Sequence, residues 1–355
     1  MKIFIMQLRS VPGEFYKEPR QSRVVLFDRR DKFYPKYAIA VPGKKCKAEV
    51  FFDSSNSTLL VVSKIIDAHN NGFSSRLIAA IHVHLSLLEV GIYAPIIISG
   101  GISKEFIDSA VSRVSLQSEE AGRAIRRIIL GPLSEAEAGA KFIIDYCTER
   151  SLSVPLLVIE PYSLDTIGNG IFTKLLIDVD KMFSNLRELI LISSPEHIER
   201  TELIYKHCFI GHGRRSIHIY SAIEPVQDDN EDQKRKTLNR EFLTHAFPAD
   251  QNSLLMYLRN VHPMYDRAHL PLLYVKPAEQ RIKERRKVLL PTEFMLLERL
   301  QELIKGTDGH VVIESFWPDR VITSSNISAY VMRYNASFVQ EQMRQVSLIS
   351  YFLRY

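Results

Sequence analysis

Five short polar segments carry side chains of the kinds that bind anions, orient sugar hydroxyls or move protons. They are Asn71 to Arg76; Ser99, Gly100 and Gly101; Ser134 to Glu137; Glu160, Ser163, Thr166 and Asn169; and Ser193, Ser194, His197 and Arg200. Four of them directly follow apolar runs that are typical of buried strands. In an open α/β sheet, ligands collect outside the carboxyl ends of the strands. The segments therefore predict one polar crevice at that edge of a sheet.

The segment SSPEH has the features of a helix start that binds an anion. Ser194 is the expected N-cap and Pro195 the first helical residue. His197 follows in the first turn, with Arg200 three residues further on. Free amides, the positive end of the helix dipole, an imidazole and a guanidinium would converge on a phosphate or a carboxylate. The alternative is that His197 and Arg200 pair with neighbouring carboxylates.

Acidic side chains in two of the segments are candidates for proton transfer or for binding a ribose. Ser134 and Glu137 have the spacing of a capping box, in which hydroxyl and carboxylate each serve one orphan amide. The functional alternative is that Glu135 or Glu137 points into the crevice. Glu160 ends a strand that we expect to be buried, so its carboxylate must find donors from loop amides, a cation or a ligand. We therefore take Glu137, Glu160 and His197 as candidate catalytic residues.

Thr166 and Asn169 flank the start of the next predicted helix, where they could serve only as its cap and first turn. Gly168 and Gly170 beside them lower the helix propensity and let another group approach the backbone. Close packing of the helix on a strand would explain the same glycines. The sequence leaves both explanations open.

The elements that position these segments alternate between strands and helices. The runs TLLVVS, APIIIS, PLLVIE, RELILIS and SIHIYS are typical of buried strands, and helical patterns separate them. Between residues 102 and 133 we expect helices, most clearly in SEEAGRAIRRIIL. Such alternation implies parallel pairing through right-handed crossovers. We predict an α/β fold with a Rossmann-like, mostly parallel sheet of about five strands.

The pattern divides the 355 residues into three parts. Residues 1–57 are mixed and indicate one or two short strands. Residues 58–226 form the predicted Rossmann-like domain, and residues 227–355 a mainly helical C-terminal extension that begins with the charged stretch QDDNEDQKRKTLNRE. No internal repeat is apparent.

Composition excludes several classes of protein. Three cysteines at wide spacings predict neither a disulfide framework nor a cysteine-rich zinc site. The chain has no HExxH, no P-loop lysine motif and no full GxGxxG, so we expect no bound metal and no ordinary dinucleotide fingerprint. A formal net charge of +5 gives weak support for nucleic acid, and we do not expect that partner.

The same sequence predicts a cytoplasmic protein. No apolar run approaches the roughly 18 residues of a membrane-spanning helix, and the start is too weakly apolar for a signal peptide. The scarcity of cysteine fits a reducing compartment. Secretion by a route without a signal peptide would leave no such mark.

Four motifs resemble, in order and spacing, those of the YdcF-like (SanA/ElyC-like) family, domain of unknown function 218. They are ISGG, SEAEAGAKFI, IEPYSLDTIGN and LISSPEHIERTELIY, and the resemblance covers roughly residues 58–222. It implies a Rossmann-like domain whose pocket is formed by Ser99, Gly100, Gly101, Glu137, Glu160, Ser163, Thr166, Asn169, His197 and Arg200. The chain departs from the family at Gly168, where the family usually has glutamate, and at Ser63-Lys64, where it usually has a glycine.

The motifs and the resemblance together predict that a nucleotide-like or phosphorylated small molecule binds in the crevice and undergoes transferase or hydrolase chemistry. The Ser193 to Arg200 segment would hold the anion, the turn Ser99–Gly101 would offer its amides, and Glu137 or Glu160 would bind ribose or act as a base. S-adenosylmethionine, or another nucleotide, is the candidate cofactor. The alternative is a non-catalytic interaction module whose terminal extensions recognise a protein partner.

Overall fold

The protein is described by a computed structural model, whose described residues are 34–43, 46–55, 57–65, 72–121, 125–209, 216–221, 233–245, 251–262, 264–265, 291–304, 312–315 and 321–322. The strands are β1 (Tyr37–Pro42), β2 (Cys46–Asp53), β3 (Thr58–Ile65), β4 (Ile96–Ser99), β5 (Arg127–Leu130), β6 (Leu157–Glu160), β7 (Glu188–Ser193), β8 (Ser216–Ser221), β9 (Val312–Ser315) and β10 (Val321–Ile322). The helices are α1 (Phe73–Glu89), α2 (Lys104–Ala121), α3 (Glu135–Glu149), α4 (Thr166–Val179), a 3-10 helix (Lys181–Asn185), α5 (Pro195–Cys208), α6 (Gln233–Thr244), α7 (Gln251–Asn260) and α8 (Pro291–Ile304).

The larger sheet has the strand order β10-β6-β4-β1-β7-β8. All neighbouring pairs from β6 to β8 are parallel, and only the short β10 runs antiparallel, beside β6. The five parallel strands follow the order third, second, first, fourth, fifth along the chain. This is the doubly wound order, in which the direction of winding reverses between β1 and β7. The predicted α/β fold with a mostly parallel sheet is confirmed.

The central strand of this sheet is β1, which the sequence pattern did not assign to it. Ile39 pairs with Ile96 of β4 on one side and with Ile190 of β7 on the other. The predicted boundary between residues 57 and 58 therefore cuts off the strand at the middle of the sheet. The run TLLVVS, predicted as the first strand of the sheet, is a strand but belongs to the second sheet as β3.

Helices cover both faces of the larger sheet, because successive residues of its buried strands point to opposite sides. Ile39 and Val41 of β1 pack in one core with side chains of α1 and α3. Ala38 and Ala40 pack in the other core with side chains of α4 and α5, and with Phe242 of α6. The C-terminal extension thus contributes to the core of the α/β unit.

A second sheet has the order β2-β3-β5-β9, with β2 antiparallel to β3 and the other pairs parallel. The expectation that RIIL continues a helix is wrong, because Arg127–Leu130 is strand β5. Ile128 and Leu130 are both buried, as in a strand, but so short an apolar run does not by itself distinguish a strand from a helix. Side chains of α2 and α8 pack on this sheet in a third core.

The C-terminal extension contains the predicted helices, including α8 over PTEFMLLERLQELI. It also contains strands, since β9 joins the second sheet and β10 joins the edge of the larger one. Residues 222–232, which include the first part of the predicted charged stretch, lie outside the described part of the chain, as do residues 1–33, whereas residues 233–241 of that stretch lie in α6.

Candidate functional site

The carboxyl ends of the parallel strands bring three of the predicted segments to one edge of the larger sheet. Ser99 at the end of β4 pairs in register with Pro42 of β1 and with Glu160 of β6. Ser193 ends β7, the other neighbour of β1. The first turns of α3, α4 and α5 follow shortly after β5, β6 and β7, respectively.

The turn Ser99–Gly101 is hydrogen-bonded into the loop that follows β6. The Gly100 N–H donates to the Glu160 carbonyl at 2.9 Å, and the Gly101 N–H donates to the Ser163 carbonyl at 2.5 Å. Both amides therefore serve the protein itself. This corrects the expectation that they are offered to a ligand, and it makes the turn a support for the loop after β6.

The first-turn N–H groups of α3 are hydrogen-bonded within the protein. The predicted capping box is confirmed: the Glu137 N–H donates to Ser134 Oγ at 3.1 Å, and Glu137 Oε2 accepts from the N–H groups of Ser134 and Leu133 at 2.9 Å each. The N–H groups of Glu135 and Ala136 donate to the carbonyls of the turn Ser99–Gly101 at 3.1 and 2.9 Å. The first-turn amides of α3 are thus occupied, and the Glu137 carboxylate holds the loop before the helix.

The Glu135 side chain lies across the ends of β1 and β4. A Cβ atom added to Gly43 would stand 2.5 Å from Glu135 Oε2, and one added to Gly100 would stand 2.8 Å from it. Neither position has room for a side chain while the carboxylate is there. Burial, and secondarily the charge of Glu135, raises the pKa of the Cys46 thiol. Of the two glutamates considered from the sequence, Glu135 is the one whose carboxylate contacts both strand ends.

The loop after β6 presents three buried polar side chains. Glu160 is fully buried, and its Oε1 accepts from the Tyr162 N–H at 2.7 Å. The Ser163 hydroxyl donates to Asn169 Oδ1 at 2.5 Å, which ties the loop to the first turns of α4. The Glu160 carboxylate thus finds one of the loop-amide donors that its burial required.

The N-cap of α4 is Asp165 rather than Thr166, which is the first residue of the helix. Asp165 Oδ1 accepts from the Gly168 N–H at 2.8 Å, and the Asp165 carbonyl accepts from the Asn169 N–H at 2.9 Å. Asp165 competes better for this position because its carboxylate reaches the amide three residues on. The start of α4, like that of α3, carries a side-chain cap.

Tyr205 of α5 forms a buried support beneath these residues, and the sequence analysis missed it. Its hydroxyl donates to the Asn169 carbonyl at 3.3 Å and lies 3.2 Å from Thr173 Oγ1. Burial raises the pKa of Tyr205 above its usual range, while the hydrogen bond to Thr173 acts against the shift. His197, Thr201 and Tyr205 are spaced four residues apart, so they lie along one face of the same helix. That spacing is the sequence signal that could have pointed to Tyr205.

The start of α5 differs from those of α3 and α4. Ser194 is the N-cap and Pro195 the first helical residue, as predicted, but the Ser194 side chain makes no capping hydrogen bond. Its Oγ accepts instead from Arg76 Nη2 at 2.5 Å. Ser193 beside it is fully buried, and its hydroxyl has no hydrogen-bond partner among the described residues. Two buried hydroxyls therefore stand at a helix start that has no side-chain cap.

The Arg76 side chain of α1 spans from the end of β1 to the end of β7, the two strands between which the winding of the sheet reverses. Its Nη1 donates to the carbonyls of Pro42 at 3.0 Å and Gly43 at 3.2 Å, both at the end of β1. Its Nη2 reaches Ser194 at the end of β7. The guanidinium is almost fully buried, and α1 itself begins after Gly72 without a side-chain cap. Asn71, at the front of the same predicted segment, lies outside the described residues.

His197 and Arg200 lie side by side on α5. Arg200 Nη2 is 3.3 Å from His197 Nδ1, and the Thr201 hydroxyl donates to the His197 carbonyl at 2.6 Å. Both side chains are half-buried. The basic groups at this edge of the sheet are therefore on α1 and α5, whereas Glu135 lies across the ends of β1 and β4 and Glu160 ends β6.

Comparisons of the chain with protein-family models, with curated proteins and with solved structures give no match. Membership of the YdcF-like family therefore stays a prediction that the four motifs carry. Within the described residues, no three His, Cys, Asp or Glu side chains come together as a metal site. None of the described helices is long and apolar enough to cross a membrane.

Proposed function

We propose that the chain binds the anionic group of a nucleotide-like or other phosphorylated small molecule where α1 and α5 begin. The observation that carries the proposal is Arg76, whose guanidinium joins the end of β1 to Ser194, the N-cap of α5. The guanidinium comes from the first turn of α1 and contacts the N-cap of α5, so a buried cation stands beside the positive end of the α5 dipole. An anion is the ligand that such a combination favours.

A comparison of the helix starts at this edge supports the choice of place. The first turns of α3 and α4 are capped by Ser134 and Asp165, respectively, so their amides serve the protein. The starts of α1 and α5 have no side-chain cap. The buried Ser193 hydroxyl adds a donor that no described residue uses. The hydrogen-bond donors, the helix dipoles and the positive charge therefore all favour binding of an anion at the starts of α1 and α5.

Two carboxylates are available for the rest of the ligand. Glu135 lies across the ends of β1 and β4 and Glu160 ends β6, and both would accept hydrogen bonds from ribose hydroxyls. S-adenosylmethionine would also fit, with its carboxylate at the anion-binding groups and its ribose at the two glutamates. With Glu160 or His197 as proton acceptor, the site would support transferase or hydrolase chemistry.

Thermal unfolding of the purified protein with a panel of compounds tests the proposal. The panel comprises S-adenosylmethionine, ATP, NAD, ADP-ribose and sugar nucleotides, each with and without magnesium. A compound at about 100 times its dissociation constant should stabilise the fold by about 2.7 kcal/mol. We expect at least one compound to raise the melting temperature of the wild type, and Arg200→Ala to abolish most of that rise.

Arg187→Ala is the matched control, because Arg187 is exposed and directly precedes the amino end of β7, away from the crevice. It should keep the full ligand-induced rise. Equal rises in the wild type and in Arg200→Ala would place the ligand elsewhere. No rise with any compound would contradict the proposal and favour the interaction-module alternative.

A further inference from the structure

Two aromatic residues of the C-terminal extension contact the loop that carries Glu160 and Ser163. They are His262 and Tyr265, and both are almost fully buried. The Tyr265 ring packs against Phe172 of α4, with 5.7 Å between the ring centroids, and against the His262 ring at 4.9 Å. They follow α7 directly in the chain, yet they lie against the start of α4.

The Tyr265 hydroxyl occupies the space beside the first turn of α4. A Cβ atom added to Gly168 would stand 1.9 Å from the Tyr265 hydroxyl oxygen. No side chain therefore fits at residue 168 while the tyrosine is in place. Contact with Tyr265 therefore explains why residue 168 is a glycine, although glycine lowers the helix propensity of this segment.

The same hydroxyl is hydrogen-bonded to the loop. It accepts from the Leu164 N–H, and it donates to Asp165 Oδ1 at 3.4 Å. Burial, followed by the charge of Asp165, raises the pKa of Tyr265 well above its usual value, so the hydroxyl keeps the proton that it donates. The charge of Glu160 acts on this pKa in the same direction.

His262 holds the other oxygen of the same carboxylate. The Met264 N–H donates to His262 Nδ1 at 3.2 Å, which leaves Nε2 as the donor nitrogen of the ring. That nitrogen donates to Asp165 Oδ2 at 3.1 Å. The N-cap of α4 is thus fixed by both aromatic residues.

We propose that Tyr265 is a positioning residue of the crevice, whose hydroxyl fixes the loop after β6 and thereby Glu160, Ser163 and Asn169. The inference rests on the proposed function for its role in ligand binding. The chain of contacts is continuous, since the Ser163 hydroxyl bonds to Asn169 and the Ser163 carbonyl to Gly101. The C-terminal extension would thus help to form the site rather than only flank it.

Amide hydrogen exchange tests the positioning without any ligand. Tyr265→Phe keeps the ring and removes the hydroxyl, and loss of one hydrogen bond should speed exchange at Leu164 about fivefold. Tyr93→Phe is the matched control, because the Tyr93 hydroxyl accepts from the Leu156 N–H at 2.9 Å before the other end of β6. It should speed exchange at Leu156 and leave Leu164 unchanged. Unchanged exchange at Leu164 in Tyr265→Phe would overturn the proposal.

Ligand affinity provides the second measurement, with the compound that raises the melting temperature most. We expect Tyr265→Phe to weaken binding about tenfold, and Gly168→Ala, which displaces the hydroxyl without removing it, to do the same. Tyr93→Phe should bind like the wild type. Faster exchange at Leu164 with unchanged affinity would overturn the role of Tyr265 in the crevice. If the wild type binds no compound, the proposed function fails, and the exchange at Leu164 still decides whether Tyr265 fixes the loop.

Discussion

Replacing Gly101 by alanine is expected to lower the free energy of unfolding by about 3 kcal/mol, the upper range for overpacking of a buried site. The added Cβ atom would stand 2.6 Å from the Ser163 carbonyl oxygen and 3.1 Å from that of Pro161. Both contacts are with backbone, which cannot rotate away as a side chain can. Because Gly101 and Ser163 are also hydrogen-bonded to each other, the loop after β6 must shift as a whole. Urea denaturation measures the loss.

Gly91→Ala is the control for this prediction. Gly91 has a φ of +77°, but an added Cβ atom would meet nothing within 4 Å. The cost there should come from backbone strain alone, about 1 kcal/mol. Equal losses of stability in the two variants would show that the contact between the turn Ser99–Gly101 and the loop after β6 is not as tight as described.

Replacing Arg76 by alanine is expected to lower the free energy of unfolding by about 3 kcal/mol and to abolish ligand-induced stabilisation. The guanidinium is buried and donates to two carbonyls at the end of β1 and to Ser194. Its removal leaves those buried acceptors without their donor, which costs more than the hydrogen bonds themselves contribute. Arg76→Lys keeps the charge but not the planar fork, so it should recover part of the stability. Urea denaturation and thermal unfolding with ligand measure the two effects.

The exposed Arg113 of α2 supplies the comparison, because it has the same charge and a solvent-exposed side chain. Arg113→Ala should change the free energy of unfolding by no more than about 0.5 kcal/mol and leave ligand binding intact. A stable Arg76→Ala variant that still binds the ligand would show that Arg76 neither joins the strands nor contributes to the site.

The ends of two strands and the start of α3 were predictable because each has a strong local signal. Ser99 and Glu160 end four-residue buried strands, and Ser134 with Glu137 has the spacing of a capping box. Ser194 before Pro195 marked the start of α5 in the same way. These signals depend only on residues close together in the chain, and that is why the sequence carried them.

The sequence indicated one or two short strands in residues 1–57, but the central place of β1 in the larger sheet escaped prediction. β1 is only the six residues YAIAVP, with small alanines on one face. Its place between β4 and β7 depends on partners more than 50 residues away along the chain. A fully buried parallel strand shows a continuous apolar run, which a short segment shares with many loops and helices.

The roles of Arg76 and Tyr265 depend on contacts that no local pattern records. Tyr265 reaches Leu164 across 101 positions of the chain, and Arg76 reaches Ser194 across 118. An approaching group at Gly168 was one of the two explanations that the sequence left open. It could not indicate that the group is a tyrosine from the C-terminal extension.

Binding of an anion where α1 and α5 begin is the central proposal for this protein. Amide NMR during titration of the deuterated protein with the best compound of the panel, and separately with inorganic phosphate, tests it directly. We predict that the largest shifts occur at Ser194, Glu196 and His197, with smaller ones near Arg76, and that the capped starts of α3 and α4 do not respond. Largest shifts at Glu135 and Ala136, or no shift with any anion, would contradict the account.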